Sequence, residues 1–134
     1  RKLLVVDGRI GFTGGVGIAD QWLGNGNTPD HWRDTHFRVE GPVVAQMQMA
    51  FLDNWIQATG EVPYGDDYFP PLSPAGGEDG NMQAQVFTSS PGGGSESMQL
   101  MYLVAIASAT RSLRLSMSYF VPDDVALATI VSAI

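Results

Sequence analysis

RKLLVVDGRIGFTGGVG, residues 1–17, holds a hairpin and a polar site in one stretch. Lys2 to Val6 is a continuous run of Leu and Val bounded by Asp7-Gly8, the pattern of a buried strand that stops at a turn. Ile10 to Thr13 then returns as a hairpin partner, and Gly14-Gly15 ends the return where backbone must approach something closely. Taken alone, Lys2 and Asp7 favour a solvent-edge lysine and a turn aspartate, because Asp-Gly is a frequent turn. The glycine pair at 14 and 15 shifts the reading towards a polar site at a strand edge. The chain opens on Arg1 inside what reads as a strand, so the first partner of that site is expected just upstream.

Outside this stretch the composition narrows the function. A formal charge of −7 with only 7 basic residues argues against a domain held to nucleic acid by phosphate neutralisation, which needs clustered Lys and Arg. The basic residues are scattered, with none after Arg114, so no polybasic stretch for anionic lipid is present in these residues. There is no Cys, which removes disulfide frameworks and thiolate metal sites. The longest apolar stretch, about Leu100 to Ala107, is too short for a bilayer span of about 20 residues.

Further along, residues 18–23 read as a short helical turn and 24–30 as turn chemistry throughout. WRDTHFRVE, residues 32–40, alternates and is expected to be a half-buried strand with Thr35, Phe37 and Val39 on one face. Gly41-Pro42 opens a helix in which Val44, Met47, Phe51 and Trp55 recur at helical spacing, with Gly60 as C-cap. Residues 61–82 are Pro- and Gly-rich without periodicity and read as a linker between lobes. A strand at 83–89, a helix at 96–109, a strand at 113–119 and a last helix capped by Asp123 follow. That order is the order of a parallel β-α-β unit. The expected fold class is α/β, a mixed β-sheet flanked by helices. The boundaries are 1–60 for the end of a first lobe, 61–82 for the linker and 83–134 for the start of a second.

The opening stretch resembles the HKD signature of the phospholipase D superfamily, H-x-K-x4-D-x6-G-[G or S]-x-N. Arg1 stands at the x, Lys2 at the lysine, Asp7 at the aspartate, and Gly14 and Gly15 at the glycine pair. GFTGGVGIADQW, WRDTHFRVEGPVV with the Phe51 and Trp55 helix, and SYFVPDD are similar to the bacterial cardiolipin synthase branch. The resemblance covers nearly the whole chain apart from the Pro-rich linker. Gly17 departs from it, standing where the motif usually has Asn.

The resemblance implies an incomplete α-β-α sandwich of the phospholipase D kind, in which two HKD motifs meet to form one active site. The motif histidine is then expected immediately before Arg1 and the second motif beyond Ile134, since neither His31 nor His36 continues at motif spacing. It implies a phosphatidyltransferase working through a phosphohistidine, with the paired imidazoles exchanging acid and base roles. Lys2 would be catalytic as a cation against non-bridging phosphate oxygens. Asp7 would be the catalytic-motif carboxylate that orients its neighbours. Gly14 and Gly15 would bind phosphate through backbone amides. No cofactor and no metal are required. The implied partners are a phosphatidylglycerol-like phospholipid and, through the parent protein, the surface of a bacterial cytoplasmic membrane. Nothing in the sequence speaks to oligomeric state.

Other readings compete. A phospholipase D-type hydrolase would use water as acceptor, and a non-catalytic HKD-like lipid-binding scaffold is favoured by Gly17. Asp30, His31, Asp34 and His36 could ligate a metal, but a third and fourth ligand at workable spacing are not evident. A Ser/His/Asp hydrolase using Ser89, Ser90 or Ser95 with His36 and Asp34 lacks the G-x-S-x-G elbow. Tyr64, Tyr68 and Phe69 form an aromatic loop suited either to acyl chains or to packing.

Overall fold

A computed structural model describes residues 2–73, 82–90 and 95–133 of the 134-residue chain. They fall into two compact units, Arg1–Val86 and Phe87–Ile134.

The first unit is built on β1 (Leu3–Val6), β2 (Ile10–Gly14) and β3 (His36–Glu40), an antiparallel sheet in the order β1-β2-β3. Its hairpin turn has Asp7 at φ 53 and Gly8 at φ 63, positive at both central positions as in the primed turns that Asp-Gly favours. The Arg9 amide donates to the Val6 carbonyl at 3.0 Å across it. Gly8 is also where the later chain packs back. A side-chain carbon there would lie 2.6 Å from Pro70 Cδ and 2.7 Å from the Tyr68 carbonyl. The start of the Pro-rich stretch is therefore anchored on the turn, while Tyr64 stays 83% exposed.

The helix α1 (Val43–Thr59) begins just after Pro42, and Gly60 closes it in the left-handed conformation with φ 74. Its sheet-facing side is Val44, Met47, Gln48, Ala50 and Leu52. Gly11 is matched to this side, since a Cβ on Gly11 would overlap Met47 Sδ and come within 2.7 Å of Met47 Cε. The register Val5↔Gly11↔Val39 thus leaves a depression in the sheet that the thioether fills, and Met suits such irregular gaps. Phe51 and Trp55, whose helical spacing with Val44 and Met47 points to the core, are 42% and 38% exposed and stack on each other at 6.1 Å. Leu52, between them in the chain, is only 7% exposed, so the two aromatics lie off the most buried side of the helix rather than beyond the end of the sheet.

The second unit contains α2 (Ser95–Ala107) and α3 (Asp124–Ser132), which pack on each other. Helix α2 begins at Ser95 itself, and the Ser95 side chain lies outside what is described. Asp123 caps α3 as expected, accepting from the Ala126 amide at 2.7 Å, and its other oxygen accepts from Gln99 Nε2 of α2 at 2.7 Å. One carboxylate therefore starts α3 and ties it to α2. Asp123→Ala is expected to lose about 1 kcal/mol locally, a roughly fivefold change in the opening equilibrium of α3. Faster hydrogen exchange at Leu127 relative to α1 amides measures it.

The α/β class stands, and the sheet differs from the expected one. All of its strand pairs are antiparallel among the described residues. Residues 83–89 and 113–119 are coil rather than strands. Alternation in 113–119 makes the segment competent for a strand, but a ladder needs a neighbouring backbone, and Met117 and Tyr119 are 53% and 88% exposed. WRDTHFRVE pairs only from His36 onward, with Phe37 exposed and only Val39 half-buried.

Candidate functional site

Register brings the polar residues together. Leu3 lies opposite Thr13, so the next step of the ladder sets Lys2 beside Gly14. The Thr13 hydroxyl donates to the Lys2 carbonyl at 3.0 Å and holds this end of β1. Lys2 Nζ then donates to the Gly15 carbonyl at 2.6 Å and stands 5.1 Å from the centre of the Trp22 ring. A cation over an indole face is held by the ring quadrupole. The ammonium is thus fixed at the glycine pair while remaining exposed to a ligand.

Trp22 is set by a 3-10 turn, Asp20–Trp22, and by an edge-to-face contact with Trp32 at 5.3 Å. The Trp32 amide donates to the Gln21 carbonyl at 2.7 Å, which locks the two loops together. Gly17 makes room for this arrangement. A Cβ there would lie 2.8 Å from Trp22 Nε1. The position where the HKD pattern usually has Asn is here occupied from the other side by an indole. Gly17→Asn is therefore expected to displace Trp22 from Lys2 at a cost of about 1–3 kcal/mol. In protein labelled with 5-fluorotryptophan, the Trp22 fluorine resonance should shift while that of Trp55 does not.

The glycine pair is enclosed by β3 and the residues leading into it. The Gly15 amide donates to the Thr35 carbonyl at 3.1 Å, and a Cβ on Gly15 would overlap the Asp34 carboxylate. Asp34 Oδ1 in turn accepts from the Thr35 amide at 2.7 Å. At Gly14 a Cβ would come within 2.6 Å of His36 Cα and 2.8 Å of His36 Nδ1. Both backbone polar groups of Gly15 are thus engaged, and the glycines let Asp34 and His36 close over them.

Asp7 is not part of this cluster. It stands in the hairpin turn at the far end of β1, and five residues of extended chain separate it from Lys2 by about 16 Å. Its place is explained by the turn. The proposed metal ligands also diverge: His31 Nδ1 is 2.7 Å from the Thr28 hydroxyl, while His36 lies over Gly14. Among the described residues no three imidazole or carboxylate groups gather to hold a metal ion. Ser89 and Ser90 belong to the second unit and Asp34 and His36 to the first.

The structure brings Lys2, Gly14 and Gly15, which the sequence singled out, together with Trp22, which it did not. The sequence offered Asp34 and His36 as possible metal ligands and as members of a Ser/His/Asp triad. No local pattern carries their arrival, which depends on the register of β3 against β2 that sets His36 opposite Gly14.

Comparison with known proteins gives a consistent result. The chain is 37% identical over 134 residues, all of it, to cardiolipin synthase A of Pseudomonas putida strain GB-1, covering 27% of that protein. It is 38% identical over 124 residues to the cardiolipin synthase of Geobacillus kaustophilus, 92% of this chain and 24% of the relative. It is 38% identical over 132 residues to that of Staphylococcus aureus strain Mu50, 97% of this chain and 26% of the relative. The chain thus spans about a quarter of the length of the curated relatives it matches. No family model and no solved structure matches.

Proposed function

We propose that this chain, which is a cardiolipin synthase-like segment of the phospholipase D superfamily, carries the lysine end of an active site whose parent protein transfers phosphatidyl groups between phospholipids. The similarity of the whole chain to cardiolipin synthases is the observation that supports this reading most. The exposed ammonium of Lys2, braced by Gly15 and Trp22, supports it as a group able to meet a phosphate.

In this reading Lys2 contacts a non-bridging oxygen of the phosphodiester and stabilises the charge that grows on it as phosphorus is attacked. An ammonium has three donors. One is spent on the Gly15 carbonyl, which leaves two for phosphate. The nucleophile is a histidine of the parent beyond these residues: its ring nitrogen bonds to phosphorus, and the departing alkoxide leaves with a proton from a second histidine. The oxygen of an acceptor alcohol then attacks phosphorus while its proton passes to the second histidine, the P–N bond breaks, and both imidazoles return to their starting states. Asp7 supports the site from a distance by fixing the hairpin. The substrate is a phosphatidylglycerol-like lipid at a bacterial membrane. Among the described residues no helix is long and apolar enough to cross one.

The test is product analysis. Parent protein given vesicles of phosphatidylglycerol should release glycerol and form cardiolipin in equal amounts. Phosphatidic acid alone would replace the transferase with a hydrolase, and intact lipid would leave a binding scaffold.

A further inference from the structure

His36 faces Gly14 in the β2–β3 ladder, and the β1–β2 register, extended by one residue from Leu3↔Thr13, sets Lys2 against Gly14 from the other side. Residues directly opposite across antiparallel strands project to the same face. Lys2, Gly14 and His36 therefore form one cross-strand row, with a cation and an imidazole flanking a residue that has no side chain. The two outer Cα atoms are two strand spacings apart, about 10 Å. Both side chains lean inward. Lys2 Nζ reaches the Gly15 carbonyl at 2.6 Å, and His36 Nδ1 would be 2.8 Å from a Cβ on Gly14.

We propose that His36 is a substrate-contacting residue of the Lys2 site, donating a hydrogen bond to a second non-bridging oxygen of the phosphodiester from the opposite side of Gly14. The proposal rests on the reading that this site handles phosphodiesters and adds a residue that the HKD motif does not contain. A lysine alone is a flexible point charge, and a second donor across the row fixes the orientation of a tetrahedral anion. Neighbouring charges are otherwise engaged. Arg38, two residues on along the same face of β3, pairs with Glu40. Asp34, the carboxylate beside Gly15, accepts from the Thr35 amide. An amide side chain in place of His36 keeps a donor, whereas leucine keeps only bulk.

The experiment compares the parent protein with its His36→Gln and His36→Leu variants. Calorimetric titration with inorganic phosphate and with a soluble bis-glycerol phosphodiester is read beside lipid turnover. His36→Leu should weaken binding of both probes by about tenfold, which is about 1.4 kcal/mol, and raise KM more than it lowers kcat. His36→Gln should restore most of the affinity. Tighter binding of the diester than of phosphate identifies the diester as the natural ligand, and the reverse order overturns the assignment to a phosphodiester. Unchanged affinity in His36→Leu overturns the proposal, as does a parent that binds neither probe. A parent that binds phosphate through His36 yet turns over no lipid removes the transferase reading and keeps this one. If His36→Leu does not fold, diethyl pyrocarbonate modification of His36 in the unaltered parent decides: protection by phosphate supports the contact and an unchanged rate overturns it.

Discussion

On the proposed function, Lys2→Met is expected to lower turnover of phosphatidylglycerol by the parent protein about 10²- to 10³-fold, the usual effect of removing one donor aimed at a developing oxyanion. Stability stays within about 0.5 kcal/mol, because substitutions of exposed side chains outside the core have small effects. The two readouts separate a catalytic lysine from a structural one. Lys2 Nζ is bonded to the Gly15 carbonyl and lies over Trp22, so its loss frees one exposed carbonyl and one indole face, neither of which holds the sheet together. Lys2→Arg should recover only part of the activity. The guanidinium keeps the charge, but its planar fork does not reproduce a compact ammonium seated between a carbonyl and an indole. Near-normal turnover in Lys2→Met would remove Lys2 from the phosphate site.

Gly11→Val unfolds the first unit at much lower denaturant than the parent sequence, with an expected loss of about 3 kcal/mol, the upper end of overpacking costs. Gly11 is buried between Val5 and Val39 on the face that receives α1. The space its side chain would take already holds Met47 Sδ and Cε, and Met47 is only 3% exposed. Removing the thioether instead, as Met47→Ala, leaves a cavity and costs about 2–5 kcal/mol. The pair should be coupled. Gly11→Ala combined with Met47→Val is expected to be more stable than the sum of the single changes allows, because each relieves the volume error of the other. Urea unfolding followed by tryptophan fluorescence measures these variants together with the single changes Gly11→Ala and Met47→Val, and strict additivity of those two would contradict the packing described.

Features with local causes were legible in the sequence. The Asp7-Gly8 turn needs only the preference for positive φ of those residues, and α1 ends at Gly60 because glycine takes the left-handed cap. Asp123 starts α3 with a hydrogen bond to the Ala126 amide three residues on. The expected strands at 83–89 and 113–119 depend on something else. Alternation states that a segment can lie on a sheet, and a partner strand decides whether it does. The same division runs through the site. The spacing of Lys2 to Gly14-Gly15 is carried by one hairpin and can be read along the chain. The arrival of Asp34 and His36 depends on the register of β3 against β2, which no local pattern encodes. Trp22 was hidden for a related reason, since its contact with Lys2 spans 20 residues that include the β1–β2 hairpin, a loop and a 3-10 segment. The amide of Gly15, expected to face phosphate, donates to the Thr35 carbonyl because the residues leading into β3 run alongside it.

The central claim is that Lys2 stands in a phosphatidyl-transfer site, and one measurement meets it most directly. Parent protein is mixed with phosphatidylglycerol vesicles, quenched rapidly without acid and digested, and its histidine-containing peptides are searched by mass spectrometry for a phosphatidyl adduct. The account predicts an adduct on the histidine adjoining the Lys2 strand, with cardiolipin among the products, and loss of that adduct in Lys2→Met. Cardiolipin formed without any histidine adduct, or an adduct equally abundant in Lys2→Met, would contradict it.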